Sequence, residues 1–330
     1  MKSNIILSKV LRTAKGTIQL TGSKSECNRA LIIEALSKGK VKVENMSDAA
    51  DAVTLKAVLS ALVGSEQLAV STNKADDGPW TMDHGLSTVD IGPAGTAMRF
   101  LTAYVPLLNK NVVITGSERM QQRPIGILVD AMRKLGAEID YEINEGFPPI
   151  KVHDGFQQAT DRIRVKGNIS SQYITALLLI ASSLPQGLNL EIEGELTSRP
   201  YVEMTLAMLK QVGIEHSWND NIISISNQEF KETSIWVEPD WSAASYWYAI
   251  AALSDEAELF LPGLTPYSLQ GDSVIGEIMA NFGITSQFKN GGVLITKEPK
   301  AIVRKIFDLK ACPDLAQTVI VVCAALGHEA

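Results

Sequence analysis

Several short stretches of this 330-residue sequence place small residues, hydroxyls or cations where an apolar helix would begin. The first, GSKSECNR, has Gly22 for close backbone approach, Ser23 and Ser25 as capping hydroxyls, and two positive charges at Lys24 and Arg29. A helix N-terminus offers unpaired N–H groups and a partial positive charge, so this combination suits a phosphate or carboxylate. In the second, GPAGTAMR, Gly92 and Gly95 leave a bare floor, with Thr96 and Arg99 at the helix start. The third opens with Ser170-Ser171-Gln172, uncharged donors and acceptors fit for a polyhydroxylated ligand as well as for a phosphate. A later one opens with Pro313-Asp314, where the carboxylate either caps the helix or accepts a proton and orients a hydroxyl. The loop SERMQQRPIG puts Arg119 and Arg123 ahead of an amphipathic helix, and Arg123 can grip a carboxylate or phosphate in bidentate fashion. Taken one at a time, each stretch also reads as an ordinary capped helix with solvated charges. Together they imply a cleft where helix N-termini converge on a multiply anionic ligand set. His84, His153, His216 and His328 stand apart and read as surface or satisfied residues. No metal cluster, Ser-His-Asp triad or GxGxxG pattern is legible.

The elements that must carry these residues repeat. Helix-like segments ending in Gly64, Gly136, Gly213 and Gly283 recur at steps of 72, 77 and 70 residues, and each runs into a strand-like stretch. A second series, of strongly apolar helices opening near Ser25, Thr96, Ser171, Ala243 and Leu315, interleaves with the first at steps of 71, 75, 72 and 72. Between them lie β-rich runs such as Val112 to Thr115, Leu188 to Ile192, Ile222 to Ile225 and Val293 to Ile295. Each unit thus holds one helix apolar all round, which must be buried, and one with a polar face, which packs on one side. Five buried inner helices are expected, among sheets and outer helices. The first series has four members and the second five, so either the last unit is degenerate or the chain is the front part of a longer protein.

Composition bounds what the ligands can be. Hydrophobic residues make up 45% and charged residues 20%, which excludes disordered and fibrous classes. A net charge of −7 argues against a broad basic face for nucleic acid, so any anion site must be local. Cys27, Cys312 and Cys323 form no C-x-x-C or Cys/His cluster, which suits a reducing cytoplasm and no structural zinc. Ile5 to Leu7 is too short for a signal peptide and reads as a strand, and no apolar stretch reaches the ~20 residues needed to cross a bilayer.

The ordered motifs GSKSECNRAL, AGTAMRFL, ERMQQRPIG, SSQYITALL, SRPYVEMTL, EPDWSAASY, LQGDS and PDLAQT resemble the 5-enolpyruvylshikimate-3-phosphate synthases from about Lys9 onward. The resemblance implies an α/β fold, an inside-out α/β barrel of βαβαββ units in two domains. The first domain, 20–239, is complete. The second, 1–19 plus 240–330, is incomplete. Six units of about 72 residues would make about 430 in all. The reaction implied transfers the enolpyruvyl group of phosphoenolpyruvate to the 5-hydroxyl of shikimate 3-phosphate, with phosphate released through a tetrahedral intermediate. No cofactor or metal is implied, and the expected state is a cytoplasmic monomer without nucleic-acid or membrane partners. By the same resemblance Ser25, Arg29, Ser170, Ser171, Ser198 and Tyr201 hold shikimate 3-phosphate, with Gln172 reaching both ligands. Lys24, Gly95 and Arg123 hold phosphoenolpyruvate. Lys24 lies against both substrates and is a candidate proton donor, and Asp314 holds the attacking hydroxyl and helps remove its proton.

Two departures bear on these expectations. Pro93 and Phe100 replace an Asn and a Pro common beside Gly95, which shifts the local backbone. The family's K-E-T-D-R and D-H-R-M segments and a late Lys would fall beyond residue 330, so this chain is expected to be inactive or nearly so. Two neighbouring readings are a shikimate-phosphate-binding fragment without turnover and a UDP-N-acetylglucosamine enolpyruvyl transferase. The latter calls for a reactive Cys between Ser117 and Arg123, where there is none.

Overall fold

The computed structural model describes residues 12–64, 80–83, 86–298 and 306–327. Two compact units result, because the chain divides between Thr21 and Gly22 and again between Val237 and Glu238. Ile5 to Leu7, His84, His328 and the run after Gly64 lie outside the described residues.

After β1 (Thr13–Thr17), the Gly22–Val237 unit begins with α1 (Lys24–Leu36), β2 (Val41–Glu44), α2 (Ala50–Gly64) and β3 (Trp80–Asp83). Next come β4 (Leu86–Asp90), α3 (Gly95–Tyr104), β5 (Val112–Thr115), the short α4 (Glu118–Gln121), α5 (Gly126–Leu135), β6 (Ile139–Tyr141) and β7 (Ile150–Val152). It closes with β8 (Arg162–Lys166), α6 (Ser171–Ala181), β9 (Leu188–Glu193), α7 (Arg199–Gln211), β10 (Ser217–Asn219), β11 (Ile222–Ile225) and β12 (Thr233–Trp236). The other unit holds β1, α8 (Trp241–Leu253), β13 (Glu256–Pro262), α9 (Ile275–Ala280), β14 (Ile284–Lys289), β15 (Gly292–Lys297) and α10 (Ala316–Leu326).

One sheet plan serves three times. β4 pairs with β5 in parallel, β5 with β7 antiparallel, and β7 with β6 antiparallel. The same order and sense recur in β8-β9-β11-β10 and in β1-β13-β15-β14. β12 pairs with β2 in parallel, so the end of the first unit returns to its beginning. A parallel pair joined through a helix and closed by a hairpin is the βαβαββ unit that the spacing predicts.

Local chemistry explains where the outer helices stop. α5 buries Leu128, Val129, Ala131, Met132 and Leu135 along one face and ends at Gly136, whose φ of 108° lies in the left-handed region. There its N–H reaches the Arg133 and Met132 carbonyls, and a Cβ would sit 2.0 Å from the Gln157 carbonyl oxygen, so only glycine fits. Gly213 and Gly283 also lie in the left-handed region, whereas Gly64 is the last helical residue of α2.

The inner helices divide into two kinds. In α1, Glu26 through Ile33 are all buried, as are Ala97 through Tyr104 in α3 and Tyr173 through Ala181 in α6. α8 and α10 depart from the five buried helices expected. α8 leaves Tyr246 50% and Ile250 44% exposed, and α10 leaves Ile320 61% and Val321 57% exposed. The reason is the number of neighbours. α1, α3 and α6 pack on one another and against α2 and α7. α8 and α10 pack on each other, joined by Ser245 Oγ and Thr318 Oγ1 at 3.0 Å, and no third inner helix covers them among the described residues.

Candidate active site

The first turns of four helices meet in the Gly22–Val237 unit, and one buried guanidinium ties three of them. Arg29 of α1, 3% exposed, donates to the Ser25 carbonyl at 2.7 Å and to Thr205 Oγ1 of α7 at 2.9 Å. It also donates to Thr175 Oγ1 of α6 and to the Tyr201 carbonyl of α7, both at 3.3 Å. The guanidinium lies 5.6 Å from the Tyr201 ring centroid and 5.8 Å from that of Phe100 in α3. None of these hydrogen bonds goes to a carboxylate. Burial pulls its pKa down to about 10, so it stays charged at neutral pH. Phe100, the departure from the expected Pro, thus supplies one wall of this cation's cage.

Around this knot stand the predicted residues. Ser23 caps α1, its Oγ accepting from the Glu26 N–H at 3.5 Å. Ser25, expected as a second cap, is instead the second residue of the helix and carries no cap bond. Lys24 is exposed at the first position of α1. Ser170 caps α6 through the Gln172 N–H, and the Gln172 amide reaches across to Thr96 Oγ1 of α3 at 3.3 Å. Ser171 begins α6 and is half-buried. Ser198 precedes α7 in the left-handed region at φ 53°, and its hydroxyl makes no cap bond. A non-glycine residue there is uncommon and is held by its surroundings.

Gly95 is the floor on which Arg123 rests. A Cβ added to Gly95 would lie 2.2 Å from Arg123 Nη1, so the guanidinium lies flat against the bare backbone at the start of α3. The loop that carries Arg123 is laid on the same surface, with the Ser117 N–H bonded to the Gly92 carbonyl at 3.0 Å. Ser117 caps α4 through the Met120 N–H, and the Arg123 N–H returns to the Met120 carbonyl at 3.0 Å. Arg123 as a whole residue is exposed. Arg119, the other cation of this loop, lies exposed on α4. The structure therefore brings together Lys24, Ser25, Arg29, Gly95, Arg123, Ser170, Ser171, Gln172, Ser198 and Tyr201 within one unit.

Asp314 belongs to the other unit, exposed in the single turn Pro313–Leu315 that leads into α10. Near it is a carboxyl that the sequence motifs did not single out as functional. Asp272, 4% exposed, accepts from Ser242 Oγ at 2.5 Å. Burial pushes its pKa up to about 6, with the negative charges of Asp314 and Asp240 adding to the shift. Asp240 caps α8, accepting from the Ala243 N–H at 3.0 Å.

Thr175 and Thr205 also escaped the motif reading. Thr175 is hidden in the apolar run of α6. Thr205 had a signal, the i+4 step from Tyr201, whose carbonyl it bonds at 2.8 Å. Of the histidines, His153 pairs with Asp140 at 2.8 Å, but His216 corrects the expectation, since its Nδ1 is buried with no partner. All three cysteines are free and buried, and burial lifts the Cys312 thiol to about 11. No group of His, Cys, Asp and Glu fit for a metal exists among the described residues, and no described helix is long and apolar enough to cross a membrane.

The family model for EPSP synthase (3-phosphoshikimate 1-carboxyvinyltransferase) matches residues 10–329. A 3-phosphoshikimate 1-carboxyvinyltransferase of Bacteroides fragilis is 45% identical over 315 residues, covering 95% of this chain and 71% of that protein. One from Sodalis glossinidius is 35% identical over 326 residues, covering 97% and 73%. Among solved structures, EPSP synthase from Acinetobacter baumannii superposes with a TM-score of 0.65 at 19% identity, over 94% of this chain and 71% of that one. The fold agrees with that likeness, and the sequence matches decide the family: the chain belongs to the EPSP synthases, the 3-phosphoshikimate 1-carboxyvinyltransferases.

Proposed function

We propose that the meeting point of α1, α3, α6 and α7 is where this chain holds shikimate 3-phosphate, with phosphoenolpyruvate beside it on Gly95 and Arg123. The observation that carries this reading is Arg29, a buried cation bonded only to carbonyls and hydroxyls, where helix N-termini add their own partial positive charge. Ser25, Ser170, Ser171, Ser198 and Tyr201 then serve the phosphate and ring hydroxyls, and Gln172, already bridging α6 to α3, touches both ligands. Arg123 takes the carboxylate or phosphate of phosphoenolpyruvate in bidentate fashion, and Lys24 neutralises charge on both substrates.

The chemistry of the family needs this neutralisation. The 5-hydroxyl oxygen adds to C2 of phosphoenolpyruvate while C3 takes a proton, giving a tetrahedral adduct. Loss of phosphate from C2 and of a proton from C3 then restores the double bond. Both reactants are anions, so bringing them together is most of the barrier that positive charge and positioning can remove. In this reading Lys24 supplies the proton to C3, and Asp314 holds the attacking hydroxyl and takes its proton. The same reading makes the protein a cytoplasmic monomer that takes small-molecule substrates, in keeping with its free, buried cysteines.

Calorimetric titration of both ligands tests the assignment. Arg123→Ala is expected to weaken phosphoenolpyruvate by about tenfold or more while shikimate 3-phosphate changes less than about twofold. Equal loss for both ligands rejects it.

A further inference from the structure

Arg99 is a second buried cation, and neither the resemblance nor the mechanism above uses it. Only 4% exposed, on the second turn of α3, it donates to the Gly95 carbonyl at 3.1 Å and to the Pro124 carbonyl at 3.0 Å. Its Nη1 also lies 3.5 Å from Met120 Sδ, and its guanidinium is 5.8 Å from the Tyr173 ring centroid. The Tyr173 hydroxyl donates to the same Pro124 carbonyl at 2.6 Å. No carboxylate among the described residues pairs with it.

These contacts fall on the two ends of one small structure. Gly95 is the floor beneath Arg123, and Pro124 is the residue that follows Arg123. Arg99 therefore staples the floor to the loop, and Tyr173 of α6 fastens the loop from its other side. Leaving a buried guanidinium without a counter-ion is costly, and the cost is met here by carbonyl oxygens and a ring face. Burial disfavours the charged form of Arg99, and the positive charge of Arg123 close by adds to this and makes the place attractive to an anion. A scaffold that needed only to join α3 to the loop could do so with a neutral donor or an apolar contact. A planar fork of donors that is always charged does two jobs at once.

We propose that Arg99 is a positioning residue for the phosphoenolpyruvate side of the site, holding the Met120–Pro124 segment so that the Arg123 guanidinium lies across Gly95 and lending it an unneutralised charge. A lysine in its place keeps the charge but offers one nitrogen where the planar fork uses two, one for the Gly95 carbonyl and one for the Pro124 carbonyl. The clamp then opens while the shikimate 3-phosphate side, built on Arg29, Thr175 and Thr205, stays intact.

This inference rests on the assignment of Arg123 made above, and its test separates the two. Phosphoenolpyruvate is titrated calorimetrically into the full chain saturated with shikimate 3-phosphate, and shikimate 3-phosphate is titrated alone, for the unaltered chain, Arg99→Lys, Tyr173→Phe and Arg123→Ala. Arg99→Lys is expected to weaken phosphoenolpyruvate about tenfold and Tyr173→Phe about threefold, both with shikimate 3-phosphate held within about twofold. The Arg99→Lys/Arg123→Ala double variant is expected to lose no more than Arg123→Ala alone, because the clamp acts through Arg123. If Arg123→Ala is selective and Arg99→Lys is not, the clamp is overturned and the site assignment stands. If Arg123→Ala is unselective, or the unaltered chain takes no phosphoenolpyruvate, both fall together. Should Arg99→Lys fail to fold, Tyr173→Phe decides alone, and its leaving phosphoenolpyruvate affinity unchanged overturns the proposal.

Discussion

The helix mouths of the two units differ in the charge they hold, although α1 also buries Glu26 in its first turn. In the Gly22–Val237 unit they hold Arg29 and Arg99, buried cations bonded to carbonyls, hydroxyls and ring faces. In the unit that resumes at Glu238 they hold Asp240, Asp272 and Asp314, with Asp272 buried against the Ser242 hydroxyl. The bodies differ as well, since α1, α3 and α6 are buried on all sides and α8 and α10 on one side only. One repeated sheet and helix plan has therefore produced a unit suited to holding anions and a unit whose openings can accept protons. What a repeat conserves is the backbone plan, and what it leaves free is the chemistry of the first helical turn.

The largest expected effect bears on the bodies. Leu177 in α6 is fully buried, so Leu177→Ala is expected to destabilise its unit by about 2–5 kcal/mol, through lost transfer energy and a cavity. Ile320 in α10 is 61% exposed, so Ile320→Ser is expected to change stability by less than about 0.5 kcal/mol. Denaturant unfolding checks both. A loss above about 1 kcal/mol for Ile320→Ser would mean that the α10 face is covered in solution and that the contrast between the units is smaller than the structure shows.

Gly95→Ala sharpens the comparison at the cationic mouth. Its Cβ would fall 2.2 Å from Arg123 Nη1, so the guanidinium must leave its floor. Phosphoenolpyruvate affinity is expected to fall about tenfold or more with shikimate 3-phosphate little changed. Calorimetry with the two ligands reads the difference, and parallel losses would separate Arg123 from the site.

A smaller effect tests the acidic mouth. Asp272 has its pKa raised from the ordinary 3.8 to about 6 in the folded chain. The folded state therefore keeps a proton that the unfolded state has already lost, so stability from this group is full below pH 3.8 and declines as pH rises to about 6. Asp272→Asn removes this decline. It is expected to stabilise its unit by about 1–3 kcal/mol at neutral pH and to flatten the dependence of the unfolding midpoint on pH between about 4 and 7. An unchanged pH slope in the variant would show that Asp272 ionises as an ordinary carboxyl.

Much of the fold could be read ahead of the structure because glycine and apolar periodicity report backbone requirements directly. Gly136, Gly213 and Gly283 end their helices in the left-handed region, and the all-apolar runs of α1, α3 and α6 are buried. α8 and α10 are buried less fully than their apolar sequences predict, because an apolar helix says what it tolerates and its neighbours decide what it gets. The site was legible where a residue type had few other uses at its position, as with Gly95 or Arg123. It was obscure where the function lies in a pairing across helices, as with Thr175 and Thr205, or with Arg99 reaching Pro124. Such contacts join residues far apart in the chain and leave no local spacing to detect.

The proposed binding place for shikimate 3-phosphate is where α1, α6 and α7 begin. Hydrogen exchange of the full chain, measured by mass spectrometry with and without saturating shikimate 3-phosphate, tests it most directly. Slower exchange is expected, concentrated in the segments 22–30, 168–175 and 196–205, whose first-turn amides and side chains would face the ligand. Protection confined to other segments, or no protection at a concentration that saturates binding, would contradict it.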